Sequence, residues 1–207
     1  KVSVPIMIFV IVVLASVSFD GFTSTLLWQF VFSELYSVIP NVTVAGTLGL
    51  VGCSVFFLAV YLFFSTLMAA ATSWRIPVLA LSTAFIYSLI PIALAYHLAH
   101  YFSYLLIQGQ FIFPLVSDPF GFGWDLFNSG DFVINIGIVN AKFAWITALI
   151  SIICGHVVAI YVAHVIAIQV FTEKVQALRS QYPMVVLMVG YTMLSLWTLA
   201  QPLVELK

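Results

Sequence analysis

Charge is what this sequence has least of. Six of its 207 residues are Lys or Arg and seven are Asp or Glu, 6% of the chain, where a soluble domain carries roughly 25%. With 64% hydrophobic residues and a mean hydropathy of +1.20, a water-soluble globule would lack the polar surface to cover itself. The chain is therefore read as an integral membrane protein, with the lipid bilayer as its first partner. So few basic residues cannot neutralise a phosphate backbone, which excludes nucleic acid. Cysteine is scarce too: Cys53 and Cys154 both lie inside apolar runs, so they make no disulfide framework and read as small buried hydrophobes. No Gly/Ser/Pro-rich tract marks a disordered linker.

What is present is a series of long, continuous apolar runs. A bilayer interior admits only helices or closed barrels, because every backbone polar group must be satisfied there, and a helix needs about 20 apolar residues to cross. Continuous rather than alternating runs mean helices. Five spans are expected, at about 3–19, 44–72, 77–109, 141–171 and 183–203. Pro40 and Asn41 precede the second, Pro77 opens the third and Pro183 opens the fifth, each a usual helix-start signal. Pro91 is expected to kink the third span by freeing a carbonyl one turn earlier. Gly46, Gly49 and Gly52 give the second span a small-residue surface for close helix contact. The expected fold is all-α: a single transmembrane helical bundle over 1–207. It starts at Lys1 and enters an apolar stretch at once, as expected of the C-terminal part of a longer protein that lacks its N-terminal spans.

The connecting segments sort by charge. One side takes Lys1, Arg75, Lys174 and Arg179; the other takes Asp20, Glu34, Asp118, Asp125, Asp131 and Glu205, with Lys142 and Lys207 its basic residues. The positive-inside rule makes the first side cytoplasmic, with the N-terminus inside and the C-terminus outside, as in a multi-pass protein of a bacterial inner membrane. On the outer side, residues 22–39 read as an interfacial amphipathic helix. Leu26, Leu27, Phe30, Val31, Leu35 and Val38 form its apolar face, with Trp28 and Tyr36 at headgroup level. Residues 110–140, with Pro114, Pro119, Gly121, Gly123 and Trp124, are long enough for a lid over a site or for a packed interfacial loop.

All four histidines fall in predicted spans: His97 and His100 in the third, His156 and His164 in the fourth. Ionisable groups at that depth are costly and are candidates for function. His97 and His100 share a helix face, about 4.5 Å apart in depth, whereas His156 and His164 differ by about 12 Å and about 80°. His97, His100 and His156 are thus the set able to converge, with His164 separate. Three readings stay open. Three imidazoles can hold Cu, Zn or Fe with an open position; one His from each of two helices can ligate haem b; or neutral histidines hydrogen-bond between helices through Tyr96, Tyr101, Tyr104 or Tyr161.

Several stretches carry a resemblance: Ser18-Phe19-Asp20-Gly21-Phe22, Tyr96-His97-Leu98-Ala99-His100-Tyr101, and Ser117-Asp118-Pro119-Phe120-Gly121-Phe122-Gly123-Trp124-Asp125. Gly155-His156-Val157, Ala163-His164-Val165, Ser180-Gln181-Tyr182-Pro183-Met184 and Ala200-Gln201-Pro202 complete it. Together they resemble the C-terminal part of bacterial polytopic membrane proteins labelled fenitrothion hydrolase-like. The resemblance implies organophosphate ester hydrolysis. A metal-bound water would then be the nucleophile, on His97, His100 and His156, with Asp118 or Asp125 as base and Asp20 as a supporting acid. The functional expectation is a membrane protein binding a transition metal or haem through histidines, as a membrane metalloenzyme. The alternative is a non-catalytic subunit among other membrane subunits, with structural histidines. A proton-relaying transporter ranks last, because no inverted repeat is visible.

Overall fold

The structure is a computed structural model that describes residues 3–204, with side chains through Ala200. Lys1, Glu205 and Lys207 and the side chains of Gln201 and Pro202 lie outside the described set. Among the described residues there are helices and loops and no strand. Helix α1 covers Val4–Thr23, α2 Leu26–Val38, α3 Val42–Ala71, α4 Val78–Phe85, α5 Ile90–Gln108, α6 Ile112–Ser117, α7 Ala141–Val170 and α8 Lys174–Val204. Five helical stretches are long and apolar enough to cross a bilayer: α1, α3, the run from α4 through α6, α7 and α8. This is the expected all-α multi-span architecture.

Helix starts follow capping chemistry. Asn41 accepts from Val44 N at 3.1 Å and Asn140 from Phe143 N at 2.7 Å, each satisfying one of the first four orphan N–H groups. The third span breaks where proline requires it. A 3-10 turn at Ile86–Leu89 joins α4 to α5, and Pro91 sits in the first turn of α5. Pro91 has no N–H to give the Tyr87 carbonyl; the Ile90 N–H takes that carbonyl instead. The kink therefore leaves Tyr87 satisfied within its own chain.

The most extensive helix contact, between α5 and α7, forms on that kink. Ala148, Ile152, Gly155, Ala159, Ala163 and Ala167 make a buried stripe along α7, three or four residues apart and small enough for close approach. At Gly155 an added methyl would strike the Ala95 side chain and lie 2.9 Å from the Pro91 carbonyl oxygen. Around this pair, α1 packs on α3, α5 and α8, and α3 packs on α8. The shared core includes Leu14, Tyr61, Phe85, Ile92, Tyr96 and Met184.

Three expectations need correction. The fifth span begins at Lys174, not Pro183; Pro183 lies inside α8, where the missing N–H withholds one hydrogen bond from the Arg179 carbonyl. Of the glycine surface on α3, only Gly49 is in close contact; beside Gly46 and Gly52 an added methyl meets nothing within 4 Å. On helix α2, Trp28 departs from its expected headgroup position. Leu26 and Val38 are exposed, whereas Trp28 is 9% exposed, its ring edge-on to Phe19 at 4.8 Å and lying over Gly49. A glycine leaves room for an indole, and burying that large ring outweighs keeping it at the headgroups.

At the basic end, Arg75 and Glu173 form an ion pair at 2.8 Å, which puts the seventh acidic residue among the basic ones. Both side chains are more than half exposed, so the pair adds little stability.

Gly155→Ala should lower the melting temperature in detergent, costing about 1–3 kcal/mol as an overpacked core does, because backbone at Pro91 cannot yield. In the same assay Gly49→Ala should displace Trp28, read as a red-shifted, weaker indole emission, while Gly52→Ala leaves both readouts unchanged.

Candidate functional site

The four histidines are placed on different partners. His97 Nδ1 lies 2.8 Å from the Ala93 carbonyl of its own helix, and the ring borders an apolar groove between α1 and α5 with Phe9, Val13 and Leu94. His156 Nδ1 lies 2.7 Å from the Ile152 carbonyl and its Nε2 lies 3.2 Å from the Met188 carbonyl of α8. His164 Nδ1 lies 3.0 Å from Gln181 Oε1, also on α8. His100 turns to α1: its Nε2 is 2.8 Å from Asp20 Oδ2.

A carbonyl oxygen only accepts, so the nitrogen facing it must carry the proton. His97 and His164 are therefore Nδ1–H tautomers in their neutral form, whereas His100 donates from Nε2 to the Asp20 carboxylate. His156 has an oxygen at both nitrogens, and a neutral ring can donate to one of them. The shorter Ile152 contact is the one to hold the proton.

Among the described residues, no group of three or more His, Cys, Asp or Glu side chains is placed to hold a metal ion. His97, His100 and His156 share a stretch of the bundle without pointing at a common position. Instead, three histidines link helices: His100 joins α5 to α1, while His156 and His164 join α7 to α8 at two depths. None of these links uses tyrosine as hydrogen-bond partner. Tyr96 bonds Thr198 on α8, O to O 2.6 Å, and Tyr101 donates to the same Asp20 oxygen as His100, at 2.9 Å.

Asp118 and Asp125 do not reach the histidines in hydrogen bonding. Asp118 accepts from Phe122 N at 2.9 Å and Gly123 N at 2.8 Å. Asp125 Oδ1 accepts from Ser129 N at 2.6 Å, Gly130 N at 3.0 Å and Ser117 Oγ at 3.1 Å. Gln110 holds the far end of the loop by exchanging hydrogen bonds with the Asn135 backbone. The segment after α5 is thus a loop folded on its own acceptors, with Phe120, Phe122 and Trp124 packed at its tip. This is what the packed-loop reading expects.

What remains is the contact of Asp20 with His100 and Tyr101 at the acidic end. It is the one His–carboxylate contact among the described residues, and its side chains are 49% exposed at Asp20 and 20% at His100. Thr198, Gln181 and Met188 were not anticipated as partners. Nothing in sequence spacing marks them, because each belongs to α8 and meets its partner only through helix packing.

The fold and this contact define the class: an all-α, multi-span membrane protein with a carboxylate–histidine–tyrosine set near one end of the bundle. No family model, curated protein or solved structure matches the chain.

Solid-state nitrogen NMR of the labelled protein should show His97 protonated at Nδ1 and His100 at Nε2 at neutral pH. Identical tautomers at the two positions would contradict the placement. Asp20→Ala should cost about 1 kcal/mol of stability, the usual size of an interhelical polar contact in a membrane, measured by thermal unfolding in detergent.

Proposed function

We propose that this membrane protein carries out acid–base chemistry at the acidic end of the bundle, with His100 as the proton acceptor and Asp20 and Tyr101 as the groups that hold and balance it. One observation carries the reading. Among the described residues His100 is the one histidine held by a carboxylate, Asp20 anchoring its Nε2 while no hydrogen bond reaches its Nδ1. An imidazole held at one nitrogen by a carboxylate, with the other lone pair free, is the arrangement of a general base. A water giving its proton to Nδ1 leaves an imidazolium, and Asp20 stabilises that charge.

By the charge distribution the acidic end is the outer side of a bacterial inner membrane. The resemblance to fenitrothion hydrolase-like proteins makes the reaction hydrolysis of an organophosphate ester, with the activated water attacking phosphorus and the alcohol or phenol leaving. A transition metal on His97, His100 and His156, or haem b between His156 and either His97 or His100, would require His156 to turn one ring nitrogen away from its carbonyl; the acid–base reading requires no such change, and we prefer it for that reason.

The test is hydrolysis of a nitrophenyl phosphate triester by the purified chain in nanodiscs, followed by nitrophenolate absorbance. His100→Gln should lower the rate about 100-fold or more, the usual contribution of a positioned base, while His156→Gln lowers melting temperature and leaves the rate nearly unchanged. An undiminished rate in His100→Gln rejects the proposal. Stoichiometric metal or a haem absorption band, lost in a His97/His156 double substitution, would favour the metal reading.

A second reading is favoured by the two links His156 and His164 make from α7 to α8: a non-catalytic membrane subunit whose histidines hold helices together. It predicts co-purifying membrane subunits and loss of stability in both His156→Gln and His164→Asn.

A further inference from the structure

Between α1 and α5 lies a groove of about 490 Å³, within the size range of small-molecule sites. Phe9, Val10 and Val13 of α1 and Ala93 and Leu94 of α5 line it, and His97 is its one wall residue with a polar side chain. The tautomer of that ring is fixed by its own helix. Nδ1 lies 2.8 Å from the Ala93 carbonyl, an oxygen that only accepts, so Nδ1 carries the proton and Nε2 of the neutral ring keeps a bare lone pair. Among the described residues no hydrogen bond reaches Nε2: Tyr101, its ring centroid 6.0 Å from that of His97, gives its hydroxyl to Asp20. Nor is Nε2 sealed inside the protein, because the one buried side-chain polar atom without a partner among the described residues is the Tyr191 hydroxyl. His97 therefore offers an open acceptor on a ring that lines an apolar groove.

An acceptor among apolar groups and without a donor costs free energy that a donor would recover, and a bilayer interior holds no water to supply one. The donor has to arrive on an apolar body. Amines and carboxylic acids ionise near neutral pH and are costly to bring into hydrocarbon, whereas a hydroxyl stays neutral. A phenolic hydroxyl, with a pKa of about 10, is a stronger donor than an aliphatic one, and its flat ring makes the offset or edge-on contact that Phe9 favours. We propose that this groove binds a membrane-dissolved phenol, either a simple phenol or a quinol, which donates its hydroxyl to His97 Nε2 while its ring lies against Phe9, Val13 and Leu94. The site is independent of the acid–base reading of His100, whose Nε2 is held by Asp20.

The test uses the whole chain with isotopically labelled histidine in phosphatidylcholine bilayers, whose lipids carry no hydrogen-bond donor. Para-hexylphenol is the probe and para-hexylanisole its control, alike in shape but with a methyl in place of the donated proton. Solid-state nitrogen NMR should show the unprotonated-nitrogen signal of His97, assigned by its absence in His97→Gln, move upfield with hexylphenol and stay in place with hexylanisole. As a competitor, hexylanisole should bind about two- to tenfold more weakly, the loss of one neutral hydrogen bond. Val13→Phe, which narrows the groove, should weaken hexylphenol binding about tenfold, as expected when a ligand competes with added side-chain bulk. Val12→Phe, at an exposed position one residue away on α1, should leave binding unchanged. Tighter binding of decylhydroquinone than of hexylphenol would support the site and assign it to quinols; the reverse order would support it and assign it to simple phenols. A His97 signal unmoved by hexylphenol, equal movement with hexylanisole, or equal weakening by Val13→Phe and Val12→Phe would overturn the site. A signal already upfield before any phenol is added, and unmoved afterwards, would show water as the donor and overturn it as well.

Discussion

The contact on which the bundle depends is the seat of Gly155 on the Pro91 turn. Pro91 cannot donate to the Tyr87 carbonyl, the chain tightens to a 3-10 turn to satisfy it, and the bent segment brings the Pro91 carbonyl and the small Ala95 side chain against α7. Only a residue without a side chain can press against backbone there, and Gly155 does. Helix association in lipid lacks a hydrophobic driving force and relies on close packing and polar contacts, so this meeting of two backbones is where α5 and α7 gain most. Of the two residues, Pro91 was legible in the sequence as a kink; Gly155 was visible only as the neighbour of a histidine, because a glycine's role depends on what approaches it.

The spans themselves were legible because their cause is local. Length and hydropathy decide whether a helix can cross a bilayer, and no tertiary contact alters that. Errors came where a local signal had two uses. Proline opens helices, as Pro77 does here, but Pro183 is carried inside α8, whose polar first turns at Lys174–Tyr182 project from the basic end and supply Gln181 to His164. Likewise Trp28 had every mark of an interfacial residue. Its burial follows from the space beside Gly49, which lies on another helix and outside any periodicity that could reveal it.

The histidines show the same division more sharply. Their depth in the membrane was readable, and with it the need for partners, since an unpaired polar group in lipid is costly. The identity of the partners was not. Spacing along a helix shows which side chains share a face; it cannot show that α1 offers a carboxylate at Asp20 or that α8 offers a backbone carbonyl at Met188 and an amide at Gln181. Convergence on a metal was the economical solution when only the histidines were in view. With the opposing helices in place, each ring finds an oxygen of its own.

The proposed acid–base role rests on how Asp20 differs from the other carboxylates. Carboxylates are scarce in this chain, and Asp118 and Asp125 of the 110–140 loop are spent on backbone N–H groups: Asp125 takes two of them and a serine hydroxyl on one oxygen. Such a carboxylate is a structural acceptor, its lone pairs engaged and its geometry fixed by the turn it closes. Among the described residues the Asp20 carboxylate takes no backbone N–H and receives only His100 and Tyr101, both side chains able to exchange protons. It also lies near the end of α1, half exposed. The partners of a charge, more than its depth, therefore separate a group that shapes the fold from one that can act.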